Sequence, residues 1–425
     1  MEISKLHQIF LGSSGVCTDT RKITPNCLFF ALKGDNFNGN LFANSALENG
    51  AGYAVVDEAP NAHTEKMIVV DDVLSTLQKL AAYHRQQLKC PVIAITGSNG
   101  KTTTKELMAA VLQTTYKTVA TIGNLNNHIG VPLTLLSMPL DTEMSIVEMG
   151  ANHQSEIASY CEYTQPNFGI INNIGKAHLE GFGGEAGVRK GKTELYRHLA
   201  QSNGKVFFNA DDAILQEETS HLAIEKISYG TKPNYDCFAT ILPDNSFLAI
   251  AYDGEKIATH LVGDYNFPNL MAAICIGKYF GVAKEKIVAA IESYIPSNNR
   301  SQQVVYKDAT IILDAYNANP SSMQEALANF KKIVHPKKWL ILGEMMELGE
   351  FSLAEHKKIM EQMLTIPAEK KVVVGAGFSF LKTDENFIFF DNSENAKEWF
   401  SAQGLSGKLI LIKGSRKNAL EKLIA

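Results

Sequence analysis

The reading turns on one stretch, Thr96-Gly-Ser-Asn-Gly-Lys-Thr-Thr-Thr104. An apolar run, Val92–Thr96, leads into it, and a helix-forming segment follows. Strand, glycine-rich loop and helix are the context a phosphate-binding loop requires. The glycines let backbone N–H groups approach phosphate oxygens, and the helix N-terminus adds partial positive charge. Lys101 is placed to reach the outer phosphates of ATP and Thr102 to ligate magnesium, with Gly97, Ser98, Asn99, Gly100 and Thr103 completing the cradle. The long form of the motif fails, because Ile95 stands where its first glycine belongs; the shorter Gly97-x-x-Gly100-Lys101-Thr102 remains. A plain turn capping a helix is the alternative, but turn chemistry does not demand Lys-Thr at this spot.

Outward from the loop, apolar runs alternate with helical patterns. Val92–Thr96, Ser145–Met149, Phe168–Asn172 and Lys205–Asn209 read as buried strands of a mostly parallel sheet covered by helices. Phe238–Leu242 and Phe247–Tyr252, around Pro-Asp-Asn-Ser, predict a hairpin appended to that sheet, and Asn269–Phe280 and Ala283–Tyr294 predict two closing helices. Upstream, Leu28–Leu32, Tyr53–Val56 and Met67–Val70 are short strands, followed by a helix over Val73–Leu88. After Pro296-Ser-Asn-Asn the βα pattern resumes with Thr310–Asp314, Trp339–Leu342, Lys371–Val374, Phe387–Phe390 and Leu409–Ile412. The expectation is an α/β protein of three domains: a small N-terminal one (1–88), a central ATPase-like parallel sheet with helices (89–297) and a Rossmann-like C-terminal one (298–425). Gly375-Ala-Gly377 lacks the third glycine of a dinucleotide fingerprint, so a strand–helix turn is expected there; Gly181-Phe-Gly-Gly184 reads as a mobile loop.

Composition bounds the function. The 425 residues are 45% hydrophobic and 20% charged, a globular balance sufficient for two to four cores of roughly 100–200 residues each. A net charge of -5 offers no general basic face, which excludes sequence-independent nucleic-acid binding. The six cysteines form no CxxC pair or zinc spacing and read as reduced. With no signal-like N-terminus and no long uncharged apolar run, a cytoplasmic protein without membrane insertion is expected, and a monomer.

Other residues carry chemistry by type and place. Glu148 ends a strand beside the phosphate loop, where a carboxylate suits the hard Mg²⁺ ion, although a strand-end acid is as readily just solvated. His178 follows another such strand. Lys192, in Gly187-Val-Arg-Lys-Gly-Lys-Thr-Glu-Leu-Tyr196, reads by default as a solvated helix face. In Asp264-Tyr-Asn-Phe-Pro-Asn-Leu270, Asn266 and Asn269 offer amides suited to a purine edge, or Asn269 caps a helix. Arg300 and Asp314 could be ordinary surface charges.

The short phosphate loop is the form seen in the Mur ligase family and its folylpolyglutamate synthase relatives. The resemblance covers nearly the whole chain. It rests further on Asp19-Thr-Arg21, Leu28-Phe-Phe-Ala-Leu-Lys-Gly34, Gly123-Asn-Leu-Asn-Asn127, Glu148-Met-Gly150, His178-Leu-Glu-Gly-Phe-Gly183, Tyr316-Asn-Ala-Asn-Pro320 and Gly343-Glu-Met-Met-Glu-Leu-Gly349. It implies an ATP- and magnesium-dependent ligase of peptidoglycan synthesis. Such an enzyme joins D-alanyl-D-alanine to UDP-N-acetylmuramoyl-tripeptide through an acyl phosphate.

By the same resemblance Lys101, Glu148, His178 and Lys192 are catalytic. Thr102, Glu148, His178 and a carbamylated Lys192 would hold two magnesium ions, with Arg189 and Lys190 replacing Lys192 if the register shifts. Arg189 and Lys190 are also expected to depress the Lys192 pKa. Asn266, Asn269, Arg300 and Asp314 would serve ATP; Thr20 and Arg21 the UDP group; Asn124, Asn126 and Asn127 the substrate in the central domain; Asn317 and Asn319, near Glu347, the dipeptide. Departures touch fine contacts: Asn38-Gly-Asn40 stands for a frequent Asp-Gly-His, His128 for an acid and Gly343-Glu344 for Gly-Asp. The rivals are a ligase taking a single amino acid or glutamate, and a nucleotide-gated binding protein that cleaves ATP without ligation.

Overall fold

Val92–Thr96 is buried at all five positions, as a strand covered on both faces must be. In a computed structural model, which describes residues 1–58, 65–243, 247–296 and 300–425, this strand lies inside a seven-stranded sheet. The order is Cys237–Phe238, Glu225–Gly230, Lys205–Asn209, Phe168–Ile171, Val92–Thr96, Met144–Glu148, Thr118–Ala120, and every pairing is parallel. Ile95 sits opposite Glu148 and Thr96 opposite Ile171. That register gathers the phosphate loop, Glu148 and Asn172 at the carboxyl edge of the sheet, where open α/β sheets bind ligands. The helix Lys101–Gln113 starts directly from the loop.

The N-terminal domain is a parallel sheet of Val16–Cys17, Leu28–Phe30, Tyr53–Val56 and Met67–Val69. The helix Val73–Gln87 leads from it into the central domain, its first turn capped by the Asp72 carboxylate, which accepts from Ser75 N at 2.6 Å. Buried His84 on this helix contacts His7 (3.0 Å between ring nitrogens) and the Met138 carbonyl (2.8 Å). One side chain thereby joins the first helix, Ile3–Leu11, to the central domain.

The C-terminal sheet runs Gln302–Tyr306, Ala309–Asp314, Leu409–Lys413, Lys338–Gly343, Lys370–Val374, Ile388–Phe390. Only its first, edge strand is antiparallel. The junction expected at Pro296-Ser-Asn-Asn falls on residues 297–299, outside the described residues.

Two sequence expectations change. The hairpin is not appended to the main sheet: Cys237–Phe238 ends that sheet, while Thr240–Leu242, Ala249–Tyr252 and Glu255–Ala258 form a separate antiparallel sheet. Residues 244–246 of its turn lie outside the described residues. Gly181 and Phe182 are not loop but part of a short helix, Leu179–Phe182, because Phe182 is buried and anchors it. Gly375 makes the expected turn, and Glu344 accepts from Gly377 N at 2.8 Å. The six cysteines are buried and unpaired. Among the described residues no helix is long and apolar enough to cross a membrane.

Candidate active site

The loop's glycines are required by contact. Gly100 has φ +77°, and a Cβ there would come within 2.4 Å of the Asn269 amide oxygen. Lys101 curls back over the loop, donating to the Gly97 carbonyl at 2.6 Å and the Ser98 carbonyl at 3.3 Å. Its place deep between the domains pushes its pKa down to about 8; Glu148 opposes that shift and Arg300 adds to it.

Glu148, 1% exposed, accepts from the Thr102 hydroxyl at 3.0 and 3.1 Å and from the Asn126 amide at 2.7 Å. A buried carboxylate and hydroxyl in contact beside a phosphate loop form the oxygen donor set that Mg²⁺ takes together with nucleotide phosphates. Asn126 belongs to the same cluster.

Beside them opens a cavity of about 460 Å³ between the central and C-terminal domains. Of the sequence-predicted residues, Ser98–Thr103, Asn124, Asn126, Asn127, Glu148, His178, Asn266, Asn269, Arg300, Asp314, Asn317 and Asn319 line it. Thr20, Arg21, Gly97 and Lys192 do not. Thr20 and Arg21 lie on the N-terminal domain, where the Arg21 guanidinium is exposed and grips Asp19 in two hydrogen bonds of 2.9 and 2.8 Å.

Several of these side chains have partners that sequence did not show. Asn269 is not a cap: it sits inside the helix Phe267–Tyr279, accepts from Thr104 at 3.1 Å and Asn172 at 3.2 Å, and donates to Asn266 at 2.9 Å. This buried network supports the underside of the phosphate loop. Asn127 accepts from Ile129 N and Gly130 N, fixing the start of the helix Gly130–Leu136. Asn319 caps Pro320–Lys332 and also donates to the phosphate-loop Asn99 at 2.7 Å, joining the two domains. Asp314 is no surface charge. It pairs at 2.5 Å with buried Lys413, its neighbour in the parallel register, which sequence reading missed. Arg300 stacks on Tyr316, 3.8 Å from the ring centre.

Lys192 is not on a solvated face. It is fully buried, donates to the Ala151 carbonyl at 3.1 Å and lies 5.0 Å from the Phe182 ring centre. Burial, and after it the charge of Lys101, drive its pKa well below the ordinary lysine value, while Glu156 and Glu194 oppose the shift. Arg189 and Lys190 are not the cause: Arg189 faces Glu217 and Glu218, and Lys190 is exposed. The His178 ring nitrogen contacts the carboxylate of Glu347 of the C-terminal domain, which places Glu347 on the histidine. Among the described residues no three His, Cys, Asp or Glu side chains make a ready-formed metal cluster. The Thr102–Glu148 pair is a donor set that fits one magnesium ion.

Sequence profiles match in series: the Mur ligase family catalytic domain over residues 13–95, the Mur ligase middle domain over 95–277 and the Mur ligase glutamate ligase domain over 299–416. Over 96% of its length the chain is 32% identical to UDP-N-acetylmuramoyl-tripeptide–D-alanyl-D-alanine ligase of Bacillus subtilis, covering 92% of that protein. The chain belongs to the Mur ligase family. The Escherichia coli ligase of the same name is 34% identical, with 96% of this chain and 92% of that protein covered. A crystal structure of MurF from Acinetobacter baumannii superposes with a TM-score of 0.86 at 30% identity, covering 98% of this chain and 96% of that one. In this Mur ligase the departure at Asn38-Gly-Asn40 has a structural role: buried Asn40 donates to Asp57 at 2.8 Å and accepts from Asp57 N and Glu58 N.

Proposed function

We propose that this Mur ligase joins the amine of D-alanyl-D-alanine to the terminal carboxylate of UDP-N-acetylmuramoyl-tripeptide, with cleavage of ATP to ADP and phosphate. The observation that carries the reading is that one cavity is lined both by a phosphate loop with its Thr102–Glu148 pair and by polar groups of the C-terminal domain. Nucleotide, carboxylate and amine can meet there.

The carboxylate oxygen attacks the γ-phosphorus and ADP leaves. The dipeptide nitrogen then attacks the acyl carbon, phosphate leaves and the amine gives up a proton. Lys101 offsets charge on the phosphoryl group, and the loop N–H groups hold the phosphates. Magnesium, when bound, neutralises phosphate charge; Thr102 and Glu148 would hold the first ion, His178 and a carbamylated Lys192 the second. Neutral amine is the form that takes up CO₂, and buried Lys192 is biased toward it. The carbamate would face the positive charge of Lys101. Asn266, Asn269, Arg300 and Asp314 serve ATP, Asn124, Asn126 and Asn127 the peptide, and Asn317 and Asn319 the dipeptide. Thr20 and Arg21 on the N-terminal domain hold the UDP group. The enzyme works as a cytoplasmic monomer on these soluble precursors.

An acceptor screen with mass detection of the product tests the reading. D-alanyl-D-alanine should give the pentapeptide product. A preference for a single amino acid or glutamate would move the chain to a sister activity, and ATP cleavage with no amide product would favour the non-ligating alternative.

A further inference from the structure

One buried cation has no part in the chemistry above. Lys105 lies one helical turn beyond Lys101 on Lys101–Gln113 and is 3% exposed. It does not line the cavity. Its Nζ is 3.6 Å from the Glu148 carboxylate and donates to the Gly123 carbonyl at 3.3 Å. Gly123, at φ +56°, opens the loop that carries Asn124 and Asn126 to the cavity wall. Asn126 itself bonds Glu148, and its carbonyl accepts from Gly150 N at 2.7 Å. One ammonium therefore ties the nucleotide-binding helix, the magnesium-facing acid and the front of the asparagine loop.

A lysine enclosed this fully is desolvated at a cost that only well-placed partners offset. Here the partners are one side chain of the nucleotide site and one carbonyl of the neighbouring loop. We propose that Lys105 is a positioning residue: it fixes the Gly123–Asn127 loop against Glu148, so that the loop is shaped to receive the UDP-linked peptide. The inference rests on the substrate reading given above. Affinity for metal-free nucleotide does not depend on it, because the loop N–H groups and Lys101 remain in place.

The test is Lys105→Met, which keeps the stem and removes the charge. Binding of ADP without Mg²⁺ and of UDP-N-acetylmuramoyl-tripeptide is measured separately by calorimetry on wild type and variant. The expected result is at least a tenfold loss of affinity for the UDP-linked peptide with ADP affinity changed less than threefold. Equal loss for both ligands, or no loss for either, overturns the proposal. If Lys105→Met does not fold, Lys105→Arg, which keeps the charge but moves it, is read by the same two titrations and the same criterion. A wild-type protein that fails to bind the UDP-linked peptide would instead sink the substrate reading.

Discussion

The His178 ring of the central domain meets the Glu347 carboxylate of the C-terminal domain across the domain boundary, and both residues hold left-handed backbone, at φ 53° and 60°. Such conformations cost roughly 1 kcal/mol or more in a non-glycine residue and persist only where surroundings hold them. Here Glu180 N donates to the Glu347 carbonyl at 3.2 Å. The pair draws the Glu347 carboxyl below its usual range. Lys176–Glu355 at 3.2 Å and Asn99–Asn319 at 2.7 Å cross the same boundary. These three contacts are polar, the kind that separates and reforms, although buried apolar residues of both domains, Val262 and Met323 among them, belong to one cluster. Scattering from wild type should show a smaller radius of gyration with a non-cleavable ATP analogue and the UDP substrate at saturation. Glu347→Ala should compact less. An unchanged radius in wild type would count against domain closure.

Arg21→Ala should raise KM for the UDP substrate about tenfold, or ~1.4 kcal/mol, while leaving KM for ATP within twofold. Arg21 does not line the cavity and presents an exposed guanidinium on the N-terminal domain, paired with Asp19. An effect confined to ATP would show that the N-terminal domain has been misassigned.

Lys192→Ala should leave less than about 1% of activity, the scale of losing one electrostatic contact at a phosphoryl-transfer site. Wild type stripped of CO₂ at mildly acidic pH should lose activity and regain it with bicarbonate. Intact-site mass analysis showing a bare lysine in an active, metal-loaded enzyme refutes the modification.

Stability should fall on acidification below neutrality. His7 and His84 are both lowered from the usual histidine pKa by burial; their mutual repulsion adds to the shift at His7, and the Met138 bond opposes it at His84. The unfolded chain therefore binds protons first, near pH 6.5, and the folded form only at lower pH. Stability is fully present above pH 6.5 and declines below it, by up to about 1.4 kcal/mol per pH unit for each proton taken up. Urea melts at pH 7.5, 6.5 and 5.5 should show the decline, and His84→Gln should flatten part of it. Identical slopes in wild type and variant would remove His84 as a cause.

How far the sequence could be read differed with the range of the interaction. Thr96–Thr104 announced itself because strand, glycines and Lys-Thr are contiguous, and the parallel strands beside it followed from apolar runs. Glu148 could be placed by its strand end, but its contact with Thr102 depends on two strands lying in register. Asp314–Lys413 joins residues 99 apart and exists only because their strands pair in parallel, so a lone aspartate looked like surface. Lys192 misled for another reason. A basic helical segment looks solvated, yet Gly187 and Gly191 let the helix press so closely on Phe182 that Lys192 faces inward.

ATP-driven ligation is measured by ADP release with UDP-N-acetylmuramoyl-tripeptide, ATP and magnesium, with and without D-alanyl-D-alanine, on wild type and Lys101→Ala. Release should be fast only when the dipeptide is present, with a product heavier by the dipeptide less one water, and neither should occur in the variant. Equal ADP release with and without the dipeptide, or normal turnover by Lys101→Ala, would contradict that expectation.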